Sequence, residues 1–224
     1  MSLSGERYYA FRPEIARCVP NGARVVLDVG CGDGALGRGL KAQRHGISVY
    51  GVEIEASAAD AARTHLDAVS CASAAAPLPE AWPRPDCVVF ADVLEHMADP
   101  WSCIKLWHDR IAPGTTVVVS LPNVLHYSTL AQLWRGRWDY ADAGVLDRTH
   151  MRFFTRDTGA EMLLWAGFRI EHFERLWRLP AGAARWPGAI ARRLDARRRR
   201  NGLPRPGLHL ADVYSIQYLY VGRK

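Results

Sequence analysis

Three groups of residues in this chain have the types and spacing to do chemistry. The first is Asp28-Val29-Gly30-Cys31-Gly32-Asp33-Gly34, a glycine-rich stretch directly after an apolar run. Glycine lets the backbone turn sharply and lets a ligand approach the main chain closely. A helix opening after such a turn aims unpaired N–H groups at that ligand. The second is Glu53, placed about 20 residues on, as a ribose-binding acid is in nucleotide sites. The third is a set of imidazoles, His96, His126 and His150, which titrate near neutral pH and suit general-base work. Arg148 and Arg152 flank His150; they would bind an anionic acceptor or pair with Asp142 and Asp147. Carboxylates with metal-ligand spacing are not evident, so no metal is expected. Gly32-x-Gly34-x-x-Gly37 followed by Glu53 also satisfies the dinucleotide fingerprint, so these residues alone leave a nicotinamide cofactor open.

Elements to position these residues are legible in the hydrophobic pattern. Arg24–Val29 is a short β-branched run that ends in glycines, the mark of a buried strand. Gly34–Gln43 reads as a helix, Ser48–Glu53 as a strand, Ala56–Leu66 as an Ala-rich helix and Val69–Cys71 as a weak strand. Asp86–Ala91 and Thr115–Leu121 are strong strands, separated by an amphipathic helix over Pro100–Ile111. Such alternation is the signature of a parallel sheet covered on both faces. Residues 123–154 are polar and aromatic, with a helix near Ser128–Trp134. Thr155 opens a further helix and Gly167 closes it at the C′ position. Residues 168–177 and 213–221 read as two last strands, and residues 5–19 as a short helix near Pro13.

Bulk properties bound the rest. At 224 residues the chain suits one α/β domain that folds without disulfide or metal staples. The five cysteines are scattered and form no C-x-x-C pair, which fits a reducing compartment. Neither a signal peptide nor an apolar run of membrane-spanning length is visible, so a cytoplasmic location is expected. The net charge of +6 is concentrated in arginines near the C-terminus, from Arg185 to Arg205. The sequence sets no oligomeric state.

Taken together, Leu27–Gly34, Val52-Glu53-Ile54, Phe90-Ala91-Asp92-Val93-Leu94-Glu95-His96 and the closing strand Tyr214–Val221 resemble the class I S-adenosylmethionine-dependent methyltransferases. The likeness runs from about Tyr8 to Phe168 and returns in the last strand. Asp28 argues against the nicotinamide alternative, because a strand serving that cofactor usually carries an apolar residue there. The resemblance implies an α/β, Rossmann-like, seven-stranded and mostly parallel sheet with helices on both faces and an antiparallel last strand. S-adenosylmethionine is the implied cofactor, with Asp28 toward the methionine ammonium and Glu53 on the ribose. Gly30, Cys31, Gly32 and Gly34 would cradle it, Ile54 and Ala72 would lie at the adenine, and Ala91, Asp92 and Val93 at the methionine. Tyr9, with Tyr8 and Arg12, would close over the cofactor carboxylate. One departure stands out: family members often carry an Asp after strand three for the adenine amine, and Ser70-Cys71-Ala72-Ser73-Ala74 has none. A backbone carbonyl with Ser73, or apolar contact, would replace it.

On the acceptor side, Asp147–Thr155 and Leu133–Tyr140 resemble a subset of these enzymes encoded beside glycosyltransferases, which implies a saccharide or lipid-linked saccharide acceptor. Trp134 and Trp138 would flank its cleft. Leu94-Glu95-His96 also resembles the quinone and small-aromatic methyltransferases, and a non-catalytic cofactor-binding protein is a further alternative. The expected organisation is a single methyltransferase domain over 1–224, with an acceptor-side loop at about 123–154 and an Arg/Trp-rich insert at about 178–207. On a helix, Trp186, Ile190 and Leu194 of that insert would share one face amid arginines. Such a segment docks on its own domain or lies on an anionic membrane surface. Nucleic acid is the least expected partner, since no reading module accompanies the run.

Overall fold

The computed structural model describes residues 11–177 and 209–224. Tyr8, Tyr9 and the Arg/Trp-rich insert lie outside the described residues. The seven-stranded sheet has the order β3-β2-β1-β4-β5-β7-β6. Its strands are β1 (Val25–Val29), β2 (Ser48–Glu53), β3 (Ala68–Cys71), β4 (Cys87–Ala91), β5 (Thr116–Pro122), β6 (Arg169–Trp177) and β7 (Ser215–Arg223). β1 to β5 pair in parallel, while β7 runs antiparallel between β5 and β6. This is the Rossmann-like sheet with one reversed strand that the resemblance implies.

Helices follow from their boundary chemistry. α1 (Pro13–Ala16) opens on a proline, whose missing N–H costs nothing in a first turn. α2 (Ala35–Gln43) begins after Gly34 in the left-handed conformation. α3 (Ala56–Ala62) stops a turn earlier than its alanine content suggests. There the Thr64 hydroxyl donates to the Ala61 carbonyl and competes with the helix ladder. α4 (Pro100–Arg110) is capped by Asp99, which accepts from the Ser102 N–H. α5 (Tyr127–Trp134) follows β5, and α6 (Arg156–Ala166) carries a reciprocal Thr155/Thr158 capping box and ends on left-handed Gly167. α7 (Leu210–Tyr214) is a short helix where the sequence suggested the start of the last strand. Buried Asp212 within it pairs with Arg156 and Arg175, so a long-range ion cluster rather than local propensity sets this turn.

Successive strand residues face opposite sides, and the core divides accordingly. Leu27, Val29, Val88, Phe90, Val117 and Val119 pack with Trp107 of α4 and Met162 and Leu163 of α6. Val26, Val49, Cys87, Val89 and Val118 pack on the other face with Ile15 of α1 and Leu36 and Leu40 of α2. Each such buried aliphatic side chain contributes about 1.5–3 kcal/mol. With both faces covered among the described residues, the carboxyl rim of the strands, where ligands bind in open α/β sheets, keeps the larger cavities. Among the described residues no helix is long and apolar enough to cross a membrane.

Candidate active site

At that rim the β1–α2 turn holds Gly30, Gly32 and Gly34, all with positive φ. A Cβ on Gly30 would come within 2.5 Å of a Val93 methyl group, so only glycine fits. Glu53 ends β2 with both oxygens fixed by backbone: Oε2 accepts from Gly32 N–H at 2.8 Å, and Oε1 from Ile54 and Glu55 N–H at 2.8 and 2.9 Å. Asp28 is only 2% exposed, and its Oδ1 has no hydrogen-bond partner. Burial, and secondarily the Glu53 charge, push its carboxyl up to about 7.

A cavity of about 770 Å³ runs from these residues across the sheet edge, lined by Asp28, Gly30, Cys31, Gly32, Glu53, Ala91, Asp92, Glu95, His96 and His150 among others. A second, of about 430 Å³, shares Gly30, Glu53 and His96 with it and is walled by Ile54, Ala72, Ser73, Val93, Met97 and Asp99. Ile54 is 74% exposed and so offers its face to a ring. The Ser73 hydroxyl is engaged by the Ala75 N–H, and Asp99, the α4 cap, is the acid besides Glu53 in this wall. Trp107 N–H donates to the Ala74 carbonyl and ties that wall to α4.

Asp92 is the non-glycine residue with positive φ, 56°, among the described residues. Its Oδ1 accepts from Ser120 Oγ and Gln217 Nε2, both at 2.7 Å, and its Oδ2 from Arg12 Nη1 at 2.6 Å. Arg12 also donates to Gln217 Oε1 and pairs with Glu14. Strain of this sort persists only where surrounding bonds over-determine it; here they hold a carboxylate against the cavity.

The opposite wall is built by the loop before α6. Met151 and Arg152 N–H groups both donate to the Glu95 carbonyl, which pins this loop to a single 3₁₀ turn, Leu94–His96. His150 is thereby brought beside His96, their ring centroids 4.7 Å apart. His150 Nδ1 faces the Val145 carbonyl at 3.0 Å. Thr149 Oγ1 donates to Asp147 at 2.6 Å, leaving it and the Thr149 carbonyl to accept from His96 Nδ1. Both Nδ1 atoms therefore carry the proton in the neutral rings, and both Nε2 atoms present lone pairs. Burial lowers the His150 pKa from its usual value. Glu95 is 1% exposed, and burial first, Asp92 second, raise its carboxyl pKa well above the ordinary range.

Not every residue singled out by sequence reaches the cavities. His126 is buried as the N-cap of α5, engaged with Ser128, and lines neither. Trp134 is 94% exposed and Trp138 packs on Phe153 and Tyr140, also outside both linings. Arg148 pairs with Asp142, and Arg152 donates to the Ala98 and Met151 carbonyls. Gly34 serves the turn, packing on Ala62 and Leu66. Glu95 as a site carboxylate, together with Gln217 and Asp99, was not singled out. For Glu95 the available signal is the second acid three residues after Asp92 in Asp92-Val93-Leu94-Glu95.

A methyltransferase-domain family model matches residues 3–173. The chain belongs to this methyltransferase domain family. Its cofactor is S-adenosylmethionine. A ubiquinone biosynthesis O-methyltransferase of Thiobacillus denitrificans is 28% identical over 181 residues, spanning 72% of this chain and 75% of that protein. One of Alkalilimnicola ehrlichii is 31% identical over 116 residues, 49% of this chain and 46% of its own length. The chain thus spans about half the length of the first curated relatives it matches. The solved structure of an S-adenosylmethionine-dependent methyltransferase from Archaeoglobus fulgidus shares the fold, with TM-score 0.61 at 20% identity, over 98% of this chain and 94% of that one.

The residues present fit that cofactor. Asp28 has an orphaned buried oxygen for an ammonium group, the Gly30 surface leaves room that a Cβ would fill, and Glu53 is held by three backbone N–H groups to accept a diol. When bound, S-adenosylmethionine supplies an electrophilic methyl group on a sulfonium. The chain's own contribution is to hold both partners in line and to exclude water.

Proposed function

We propose that the protein transfers a methyl group to an oxygen of a small hydroxylated acceptor, held between the Leu94–His96 turn and the loop carrying Thr149 and His150. The observation that carries this reading is the convergence of His96 and His150, each with its Nε2 lone pair free of internal bonds, on the cavity that Asp28 and Glu53 also line. Oxygen nucleophiles need such assistance because a neutral hydroxyl reacts slowly. Asp28, Gly30, Cys31, Gly32, Glu53, Ala91 and Asp92 hold the methionine and ribose end. Ile54, Ala72 and Val93 hold the adenine. His126 supports α5 from outside.

Two acceptor classes have separate support. The resemblance of Leu133–Tyr140 and Asp147–Thr155 to enzymes encoded beside glycosyltransferases favours a saccharide, with contact to a membrane surface through the arginine-rich insert. Relatives named ubiquinone biosynthesis O-methyltransferases favour a phenolic or quinol acceptor. Transfer of a tritiated methyl group from the cofactor to a panel of both classes tests the reading. We expect turnover with one class, lost in Asp28→Ala and strongly reduced in His150→Ala. Binding of cofactor without transfer to any hydroxylated acceptor would favour a non-catalytic role.

A further inference from the structure

We propose that Glu95, His96 and His150 form a binding site for a divalent transition-metal ion at the acceptor end of the cavity. The inference rests on the reading of that end as the acceptor side. One ligand atom from each residue lies within 4.8 Å of the other two, and all three residues line the same cavity.

Hydrogen bonding narrows what these atoms can do. His150 Nδ1 donates to the Val145 carbonyl and His96 Nδ1 to Thr149, so neither ring has an N–H left for its neighbours. Both carboxylate oxygens of Glu95 are buried without a hydrogen-bond partner. Three groups with ligand atoms therefore converge without a hydrogen bond among them. Buried polar groups are normally paired, and leaving a carboxylate unpaired in an apolar surrounding costs several kcal/mol. A cation satisfies all three groups at once.

The donor set also specifies the kind of ion. Two imidazoles and one carboxylate suit Zn²⁺, Co²⁺, Mn²⁺ or Fe²⁺, whereas Mg²⁺ and Ca²⁺ prefer oxygen alone. Metal–nitrogen bonds of about 2.0–2.1 Å require the ligand atoms to close from their present spread, a movement within reach of side-chain rotation. The Nδ1 hydrogen bonds to Val145 and Thr149 are the outer-shell supports that orient metal-bound histidines. Three protein ligands leave positions open, and the acceptor oxygen would take one of them. Coordination there lowers the hydroxyl pKa and orients the oxygen toward the cofactor side of the cavity. No metal is legible in the sequence because only Glu95 and His96 are neighbours in the chain. His150 arrives through the Glu95 carbonyl's bonds to Met151 and Arg152.

The test uses the full chain, freed of metal by chelation and titrated with Co²⁺ while visible absorption is followed, then with Zn²⁺ by calorimetry. Wild type, Glu95→Gln and His150→Ala are compared, each also titrated with S-adenosylhomocysteine. His96→Asn stands in should His150→Ala fail to fold. We expect one Co²⁺ per chain with ligand-field bands in wild type, and affinity at least about tenfold weaker in the variants, with S-adenosylhomocysteine binding kept. A wild type that takes up neither ion, or variants that bind both as well as wild type, would overturn the metal site. Because cofactor binding is read separately, that result would leave the methyltransferase reading standing. Conversely, ion binding lost in the variants, with no S-adenosylhomocysteine bound by any form, would keep the site and remove its assigned purpose.

Discussion

Replacing Asp28 with Asn should stabilise the empty protein and abolish cofactor binding, and the stabilisation should grow with pH. Asp28 is buried, and its carboxyl is raised from 3.8 to about 7. A carboxyl raised in the folded state is protonated in both states below the unfolded pKa, where it costs nothing. As pH rises toward 7 the unfolded chain ionises first, so folding loses stability until the folded group ionises too. With 1.36 kcal/mol per pKa unit, the penalty is about 1.7 kcal/mol at pH 5 and about 4 kcal/mol at pH 8. The Asn variant escapes it. Its advantage over wild type should therefore widen by about 2–3 kcal/mol between pH 5 and pH 8, a melting-temperature difference of about 5–10 °C for a chain of this size. Thermal melts of both proteins at the two pH values measure this directly. Adding S-adenosylhomocysteine at pH 8 should raise the wild-type melting temperature and leave the variant unmoved. A variant advantage that stays constant with pH, or a variant that melts lower at pH 8, would refute the argument that Asp28 is held against its own solvation for a ligand.

Three other substitutions probe separate links. Gly30→Ala places a methyl against Val93 at a positive φ; we expect a loss of about 1–3 kcal/mol in thermal denaturation together with weaker S-adenosylhomocysteine binding. Glu53→Gln disturbs a carboxylate held by three backbone N–H groups; calorimetry should show affinity reduced about 10–100-fold with the fold kept. Asp212→Asn leaves Arg156 and Arg175 buried without their shared carboxylate charge; urea denaturation should report a loss of about 3–5 kcal/mol.

How much the sequence revealed depends on the range of the interaction responsible. β1, β2, β4 and β5 were legible because β-branched runs between turn residues leave little alternative, and their observed bounds differ by a residue at most. The glycine turn and Glu53 were legible because backbone conformation restricts residue type locally. Other features are decided by contacts far apart in the chain. α7 exists because Asp212 meets Arg156 and Arg175, and Asn123 Nδ2 bonds the Asp212 and Ser215 carbonyls behind it. His126 looked like a rim histidine, yet the chain turns there and its ring caps α5 instead. Asp99 joins the wall of the second cavity from the cap of α4, far in the chain from the acid-free stretch after β3. Glu95 and His150 meet only because backbone bonds fasten the loop before α6 to the turn after β4. The cofactor cradle is a local device and could be read directly; the acceptor side is assembled from loops and could not.

The central claim is that the cavity at the strand rim binds S-adenosylmethionine through Asp28 and Glu53. The most direct measurement is calorimetric titration with S-adenosylhomocysteine of wild type, first stripped of any retained cofactor by mild unfolding and refolding, beside Asp28→Ala and an NADH control. One micromolar site is expected in wild type, none in the variant and no heat from NADH. A correctly refolded wild type that binds NADH, or that binds no S-adenosylhomocysteine, would contradict it.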